Sequence, residues 1–408
     1  MASMILRREF PRQASLTAGA AALSSSVPLL GLPSSNALPH RTPTPRFPIG
    51  DPAWHITWQA ALAVLAGNVR TMPRYRHPVL VEGSTYAGIW QECAPQEGLV
   101  YGLLQQYVDT PADSPTPLQI ARANHMAFFA QQKEDGQLPA SIKLADPVGT
   151  TGGYGQIQMV VPIAATAWEL VQQTRDDELL QTAYTSCSRW DAWLRRYRDT
   201  RKTGLVEGFC TYDTGHDNSP RWKGIPNRCP DADARKCPPD PTMPRLCPDL
   251  SATVYGGRMA LAAMAQALGK TNDHARWLAE AEHIRQLILQ KLYSPGDGAF
   301  YDLDAQNRFV RVRGDVITRV LGEHVVDPLK DAEIFENIWN KQLHNPKAFW
   351  APYPFPSIAM NDPTFVRPIP RNSWGGASQA LTALRAPRWM AHYGKQAEMK
   401  HMMRQWCA

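Results

Sequence analysis

The stretch "TYDTGHDNSPRW", Thr211 to Trp222, gathers two aspartates, a histidine, an arginine and an Asn-Ser-Pro turn in a chain otherwise dominated by helical pattern. Gly215 permits a tight turn, and Asp217-Asn218-Ser219-Pro220 restricts the chain that follows. Such a loop can aim Asp217 inward beside Arg221 and Trp222. A carboxyl group so placed can serve as a general acid if burial, or a nearby acid such as Asp213, keeps it protonated near neutral pH. Two carboxyl groups facing one cleft are what cleavage of a glycosidic bond requires, one to protonate the leaving oxygen and one to activate water or attack the sugar. The same residue types also make an ordinary Asx turn, with Arg221 in an ion pair.

The elements that must position this loop are helices. Apolar residues recur at helical spacing in "AWHITWQAALAVLAGNV", "EGLVYGLLQQYV", "TPLQIARANHMAFFAQQ", "VPIAATAWELVQQT" and "ELLQTAYTSCSRWDAWLRRY" before it. The pattern resumes in "LSATVYGGRMALAAMAQALG", "DHARWLAEAEHIRQLILQKLY", "DAEIFENIWNKQL", "SWGGASQALTALRA" and "RWMAHYGKQAEMKHMMRQW". Strand-like alternation is limited to pieces such as "AFYDLD" and "FVRVR". Paired helices with long polar loops on alternate connections predict an all-α toroid with an inner and an outer ring. A solenoid would need a repeat of roughly 34 to 45 residues, and none stands out. Asp176-Asp177 and Thr271-Asn272-Asp273 sit where helix caps are expected, which gives those acids a structural task.

The 408 residues can bury a large core, and 44% hydrophobic with 20% charged residues is an ordinary globular balance. The formal charge of +6 is spread along the chain without a long basic run, which argues against nucleic acid as a partner. Thirteen Trp and thirteen Tyr are more than a core usually needs, and flat sugar faces stack on such rings. Arg7-Arg8, the Ala/Leu-rich run from Ala14 to Leu32 and Ser35-Asn36-Ala37 look like a twin-arginine export signal over residues 1–37. A linker at 38–50 and one domain at 51–408 would follow. The partner implied is the twin-arginine export machinery, and the destination is periplasmic or secreted. No later window is apolar enough for a stable membrane span. In that oxidising setting Cys229, Cys237 and Cys247, which lack metal-knuckle spacing, predict a disulfide that pins their Pro-rich loop. Nothing calls for a metal or an organic cofactor.

"GHDNSPRW" resembles the Gly-x-Asp-Asn-Ser-Pro-Arg segment of glycoside hydrolase family 63 and its trehalase-like relatives. Other blocks resemble the same families in the same order: "YAGIWQEC", "QQKEDGQLPASI", "QIQMVVPIAATAWEL", "WDAWLRRYRDTRKTGLVE", "AFWAPYPFPSIAMNDPTF" and "RNSWGG". The resemblance implies an (α/α)6 barrel that hydrolyses α-linked sugars with inversion, with Asp217 as general acid. It implies a sugar site lined by Trp90, Asp135, Gln158, Arg221, Trp222, Tyr353 and Trp374, with His216, Glu92 and Glu97 as further polar lining.

Two departures stand out: Trp90-Gln91-Glu92-Cys93 replaces a Trp-x-Trp-Asp block, and Gly375-Gly376-Ala377 replaces an Arg-Gly-Pro. The family's catalytic base is a Glu beyond the late Trp block, and no acid here stands in a matching context; Glu323, Asp362 and Glu398 lack its flanks. The expectation is therefore a toroid incomplete at its C-terminus, with a truncated or non-catalytic sugar-binding remnant as the alternative to an active glycosidase. A third reading, a lyase acting on an acidic sugar through Tyr212, His216 and Arg221, fits the block order less well.

Overall fold

The computed structural model describes residues 52–407 other than 73–74, 76, 84–85, 145–150 and 368–373. The expected export signal and linker lie outside the described residues. A leading helix α1 (Pro52–Gly67) precedes a series of helix pairs. These are α2 (Ala94–Leu103) with α3 (Pro117–Ala130), α4 (Ile163–Thr174) with α5 (Asp177–Tyr197), and α6 (Pro248–Ala267) with α7 (Thr271–Lys291). Then come α8 (Val316–Gly322) with α9 (Ala332–Ile338), which runs on into a π turn at Trp339–Leu343, and α10 (Ala380–His392) with α11 (Gln396–Cys407).

The first member of each pair packs on the first member of the next: α2 on α4, α4 on α6, α6 on α8 and α8 on α10. These helices form the inner ring. The difference in burial follows: α6 is buried along most of its length, whereas α7 buries only Trp277, Ala281, Ile284 and Ile288 and turns its charged face outward. The α/α toroid expected from the helical spacing is thus the observed architecture. No helix among the described residues is long and apolar enough to cross a membrane.

Local chemistry accounts for the helix starts. Thr116 and Gln119 form a reciprocal capping box at α3, with Pro117 at the first position where its missing N–H is harmless. Asp176 accepts from the Leu179 N–H at 2.8 Å, and Asp177 and Glu178 follow in the first turn of α5, where free N–H groups favour negative charge. Thr271-Asn272-Asp273 behaves differently from expectation: the residues lie inside α7, and Lys270 at its start makes no side-chain cap.

Short antiparallel ladders fill the connections. They are β1 (Val69–Arg70) with β2 (Val79–Leu80), and β3 (Gly88–Trp90), β4 (Ser141–Lys143) and β5 (Thr151–Gly153) in one sheet. Next come β6 (Glu207–Gly208), β7 (Arg245–Leu246), and β8 (Tyr293–Ser294) with β9 (Ala299–Phe300). Finally β10 (Asp302–Leu303) and β11 (Phe309–Val310) complete a sheet in the order β6-β7-β10-β11. That sheet flanks the long connection between α5 and α6, the segment that carries Thr211 to Trp222.

One buried ion pair anchors that connection. Arg198, at the end of α5, and Asp213 are both fully buried, and their side chains meet at 2.5 and 3.1 Å. Asp213 also accepts from the N–H groups of Ile157, Phe209 and Cys210, so every direction around its carboxylate is used. Replacing Asp213 by Ala would leave a buried guanidinium without its counter-charge. The expected cost is about 3–5 kcal/mol of unfolding free energy, measured by urea denaturation. An unchanged midpoint and slope would show the pair to be dispensable.

Candidate active site

The starts of the inner helices share one region, and each brings polar chemistry to it. Glu92 lies just ahead of α2, Gln158 ahead of α4, Asp249 at the second position of α6, Asp315 at the N-cap of α8, and Trp374 ahead of α10. Asp217 arrives from the long α5–α6 connection and is fastened there by backbone: the Trp374 N–H donates to the Asp217 carbonyl at 3.0 Å. Its half-buried carboxyl group makes no ion pair among the described residues, and burial alone pushes it up to about 6.

Glu92 is the carboxyl group coupled to it. Burial, and next the Asp217 charge, push Glu92 up to about 7, while a hydrogen bond from Gln158 and the guanidinium groups of Arg319 and Arg385 oppose the shift. Gln158 reaches it from a left-handed backbone with φ of 49°. Gly215 runs so close that a Cβ there would lie 2.0 Å from the Glu92 carboxyl. Two more acids crowd the same place. Burial, then the charges of Glu92 and Glu97, raise Glu82 to about 8, and burial raises Glu97 to about 7 against the pull of Arg385.

Behind Asp217 stands a different kind of acid. Arg221 is buried and donates twice to Asp249, at 2.7 and 2.7 Å, and twice to Asp302, at 2.6 and 2.6 Å. It also donates to His216 Nδ1 at 3.0 Å, so the His216 proton sits on Nε2 and goes to Asp315 at 2.6 Å. Burial and the nearby Arg319 and Arg221 charges hold His216 below its usual value, and the ring stays neutral. Arg319 closes the set, 3.4 Å from Asp315 and with its guanidinium 5.2 Å from the Trp374 ring centre, while His216 meets that ring edge-on at 5.1 Å.

The comparisons with known proteins agree with this architecture. Residues 117–405 match the family model described as the mannosylglycerate hydrolase MGH1-like glycoside hydrolase domain. The chain belongs to that family of glycoside hydrolases. A solved structure of the family 63 mannosylglycerate hydrolase from Thermus thermophilus in complex with glucose superposes with a TM-score of 0.64 at 18% identity, over 85% of this chain and 89% of that one. The neutral trehalase from Saccharomyces cerevisiae superposes with a TM-score of 0.59 at 13% identity, over 81% and 66%. A family 78 rhamnosidase from a Bacillus species gives 0.59 at 13%, over 87% and 30%. These likenesses carry the (α/α)6 glycosidase fold. No curated protein matches the chain.

Within this glycoside hydrolase, the residues expected from sequence divide into those the structure brings together and those it does not. Asp217, Glu92, Gln158, His216 and Trp374 form one set joined by hydrogen bonds, charge and an edge-on ring contact, and Trp90 ends the β3 strand that leads to Glu92. Arg221 is close, but its five N–H groups are committed to Asp249, Asp302 and His216, so it braces the loop and has no donor left for a sugar. Trp222 is a core residue, 2% exposed, with its indole N–H bonded to Thr214 at 2.9 Å. Asp135 sits on an exposed turn and accepts from the Trp193 indole at 3.1 Å, and Tyr353 packs against Trp406 on α11. Among the described residues neither makes a hydrogen bond or ring contact with the Asp217 set. Asp213 is not the acid that keeps Asp217 protonated, because Arg198 holds it.

Asp249, Asp302, Asp315, Arg319, Arg385 and Glu82 escaped the sequence reading. Only the Asp315–Arg319 spacing on one helix face offered a local signal. Three groups of acids and thiols lie within 4.8 Å of one another: Cys210-Asp213-Cys229, Cys247-Asp249-Asp302 and Glu82-Glu92-Cys93. In the first two a guanidinium already takes the place a cation would need. In the third, burial raises the Cys93 thiol well above its usual value and the Glu82 and Glu92 carboxyl groups to about 8 and about 7, so a cation there would have to displace protons.

The two titrations are linked. Asp217 loses its proton first, near 6, so Glu92 titrates near 7 facing a charge. Asp217→Asn is therefore expected to lower Glu92 from about 7 while leaving the larger part of the shift, which comes from burial, in place, and Glu92→Gln leaves Asp217 near 6. Carboxyl carbon NMR across pH 4 to 9 checks this, and a Glu92 value indifferent to Asp217→Asn would break the link.

Proposed function

We propose that this glycoside hydrolase cleaves an α-linked sugar with inversion, Asp217 donating the proton to the leaving oxygen. The observation that supports the reading is the state of Asp217: a half-buried carboxyl group with no counter-ion, raised to about 6, on a loop fixed at its backbone. General acids need a raised value of this kind, because only the protonated form can act. From the family's description and the Thermus neighbour we infer a mannosyl or glucosyl unit on a small polar aglycone such as glycerate. Trp90 and Trp374 supply ring faces for the sugar, and Gln158 and Glu92 supply partners for its hydroxyl groups. The Arg7-Arg8 motif supports export by the twin-arginine machinery to the periplasm or medium as part of this proposal.

Sugar binding without turnover is a second reading, and one observation favours it. Among the described residues, Glu82 and Glu92, which feel the Asp217 charge, and Glu97 beside Glu92 sit at about 7 or 8, while the ionised Asp249 and Asp315 are already held by Arg221, Arg319 and His216. At a pH where Asp217 keeps its proton these groups keep theirs, so none of them is an ionised base in the free protein. An inverting reaction needs one, with a water between it and the sugar.

The two readings separate on purified protein given mannosylglycerate, α-mannosides, α-glucosides including trehalose, and α-rhamnosides, with the released anomer read by NMR. Hydrolysis predicts the inverted anomer and a rate that falls as pH rises through about 6, the value at which Asp217 is deprotonated. Asp217→Asn should lower kcat by roughly 10²- to 10⁴-fold with little change in sugar affinity. Affinity for one of these sugars with no release at any pH from 4 to 8 would rule out hydrolysis and leave the binding reading.

A further inference from the structure

The catalytic loop begins and ends at a cysteine, and the two meet. Cys210 directly precedes the turn Thr211–Thr214, Cys229 directly precedes the turn Pro230–Ala232, and both side chains are buried. Their sulfurs lie within 4.8 Å of one another, close enough for one thiol to hydrogen-bond the other. Backbone holds the two ends in place: the Thr211 N–H donates to Pro226 at 3.0 Å, the Tyr212 N–H to Asn227 at 3.1 Å, and the Cys229 N–H to Gly155 at 3.1 Å.

We propose that Cys210 and Cys229 form a disulfide in an oxidising environment and thereby clasp the loop that presents Asp217. Cys93, Cys187, Cys210, Cys229, Cys237 and Cys247 are free thiols here. The pairing differs from the one expected on spacing within the Cys229, Cys237 and Cys247 stretch. Cys247 lies apart, against Gly208 and close to Asp249 and Asp302, and its sulfur donates to the Arg245 carbonyl. Cys237 packs beside the pair without hydrogen-bonding either sulfur. A metal is a poor alternative occupant. Asp213, the third member of the group, is saturated by Arg198 and three backbone N–H groups, and Arg198 also points a donor at Cys229 Sγ, 3.6 Å away.

The oxidant is a disulfide, either a small molecule such as oxidised glutathione or an exchange protein. One cysteine gives up its proton and attacks that disulfide, forming a mixed disulfide and releasing one thiol. The second cysteine gives up its proton and displaces the remaining half, which leaves as a thiol once protonated. The Cys210–Cys229 bond forms, and the oxidant takes up the two electrons. Because both sulfurs are buried, exchange belongs to folding, when they are still accessible. The closed loop is on the order of 20 residues, a length at which cross-linking restricts the unfolded chain appreciably.

The test is independent of whether the site turns over sugar. The full chain is refolded from the reduced, denatured state in a glutathione redox buffer, remaining thiols are alkylated, and the protein is digested with trypsin without reduction. The expected product joins the peptide Thr203–Arg221 to the peptide Cys229–Arg235, two hydrogens lighter than their sum. The oxidised protein should melt roughly 5 °C above the reduced form. That gap should vanish in Cys210→Ser and in Cys229→Ser but persist in Cys237→Ser. Cys229 linked to Cys237 or Cys247, or all thiols alkylated after refolding to a helical product, would overturn the proposal. If the serine variants do not fold, the peptide map of the unaltered chain still decides it.

Discussion

The Arg221 guanidinium, buried between Asp249 and Asp302, is the contact on which the site depends. It ties the functional loop to the first turn of α6 through Asp249 and to β10 through Asp302. By way of His216 and Asp315 it reaches the start of α8, and Thr382 on α10 donates to that same Asp315 at 3.2 Å. One cation therefore sets the position of a loop relative to three inner helices. Buried charges of this kind contribute little net stability when complete, yet leave an uncompensated ion when one member is removed. What they contribute is geometry: the loop has one place in which all its charges are answered.

Completing that network has a consequence for the acids outside it. Asp249 is pulled down to about 2, because the Arg221 and Arg319 charges outweigh its burial, and Asp315 is held well below the usual carboxylate range by Arg319 and His216. Asp217, Glu82, Glu92 and Glu97 lie close by but receive too little positive charge to offset their burial, and their values rise to between about 6 and 8. The site thus holds two populations of carboxyl groups, one permanently ionised and structural, the other raised by burial so that it titrates between about 6 and 8. Chemistry that needs a proton donor belongs to the second.

The long helices were legible because local signals agreed. Asp176, two acids in the first turn and two arginines in the last delimit α5 without any tertiary information. Helix α8 was missed because it spans only Val316–Gly322 beside strand-like residues, too short for a period to show. The expected helix "SWGGASQALTALRA" begins only at Ala380; Trp374–Gly376 form a turn, with Gly376 at φ of 155° and the Trp374 N–H bonded to the Asp217 carbonyl. At the site, Asp217, Glu92, Gln158 and Trp374 followed from block resemblance. Their partners did not, because Asp302 and Asp315 stand 81 and 99 residues from Arg221 and His216, and no local pattern encodes such a pairing. Arg221 itself was recognised, but its role depends on those distant acids and so was misread as facing the sugar.

The two ends of the inner ring meet through Arg385 on α10. It donates to Gln96 on α2 at 2.9 Å across 289 residues of chain, and to the Glu92 carbonyl at 3.3 Å. Every helix pair between them must be in place before these groups can find each other, and loop-closure entropy opposes so distant a contact until then. The contact of Arg385 with Gln96 and Glu92 is therefore expected late on the folding path, when most of the helix content has already formed. In a chain recovering from denaturant, helicity measures the progress of the ring, whereas a competent sugar site measures its closure.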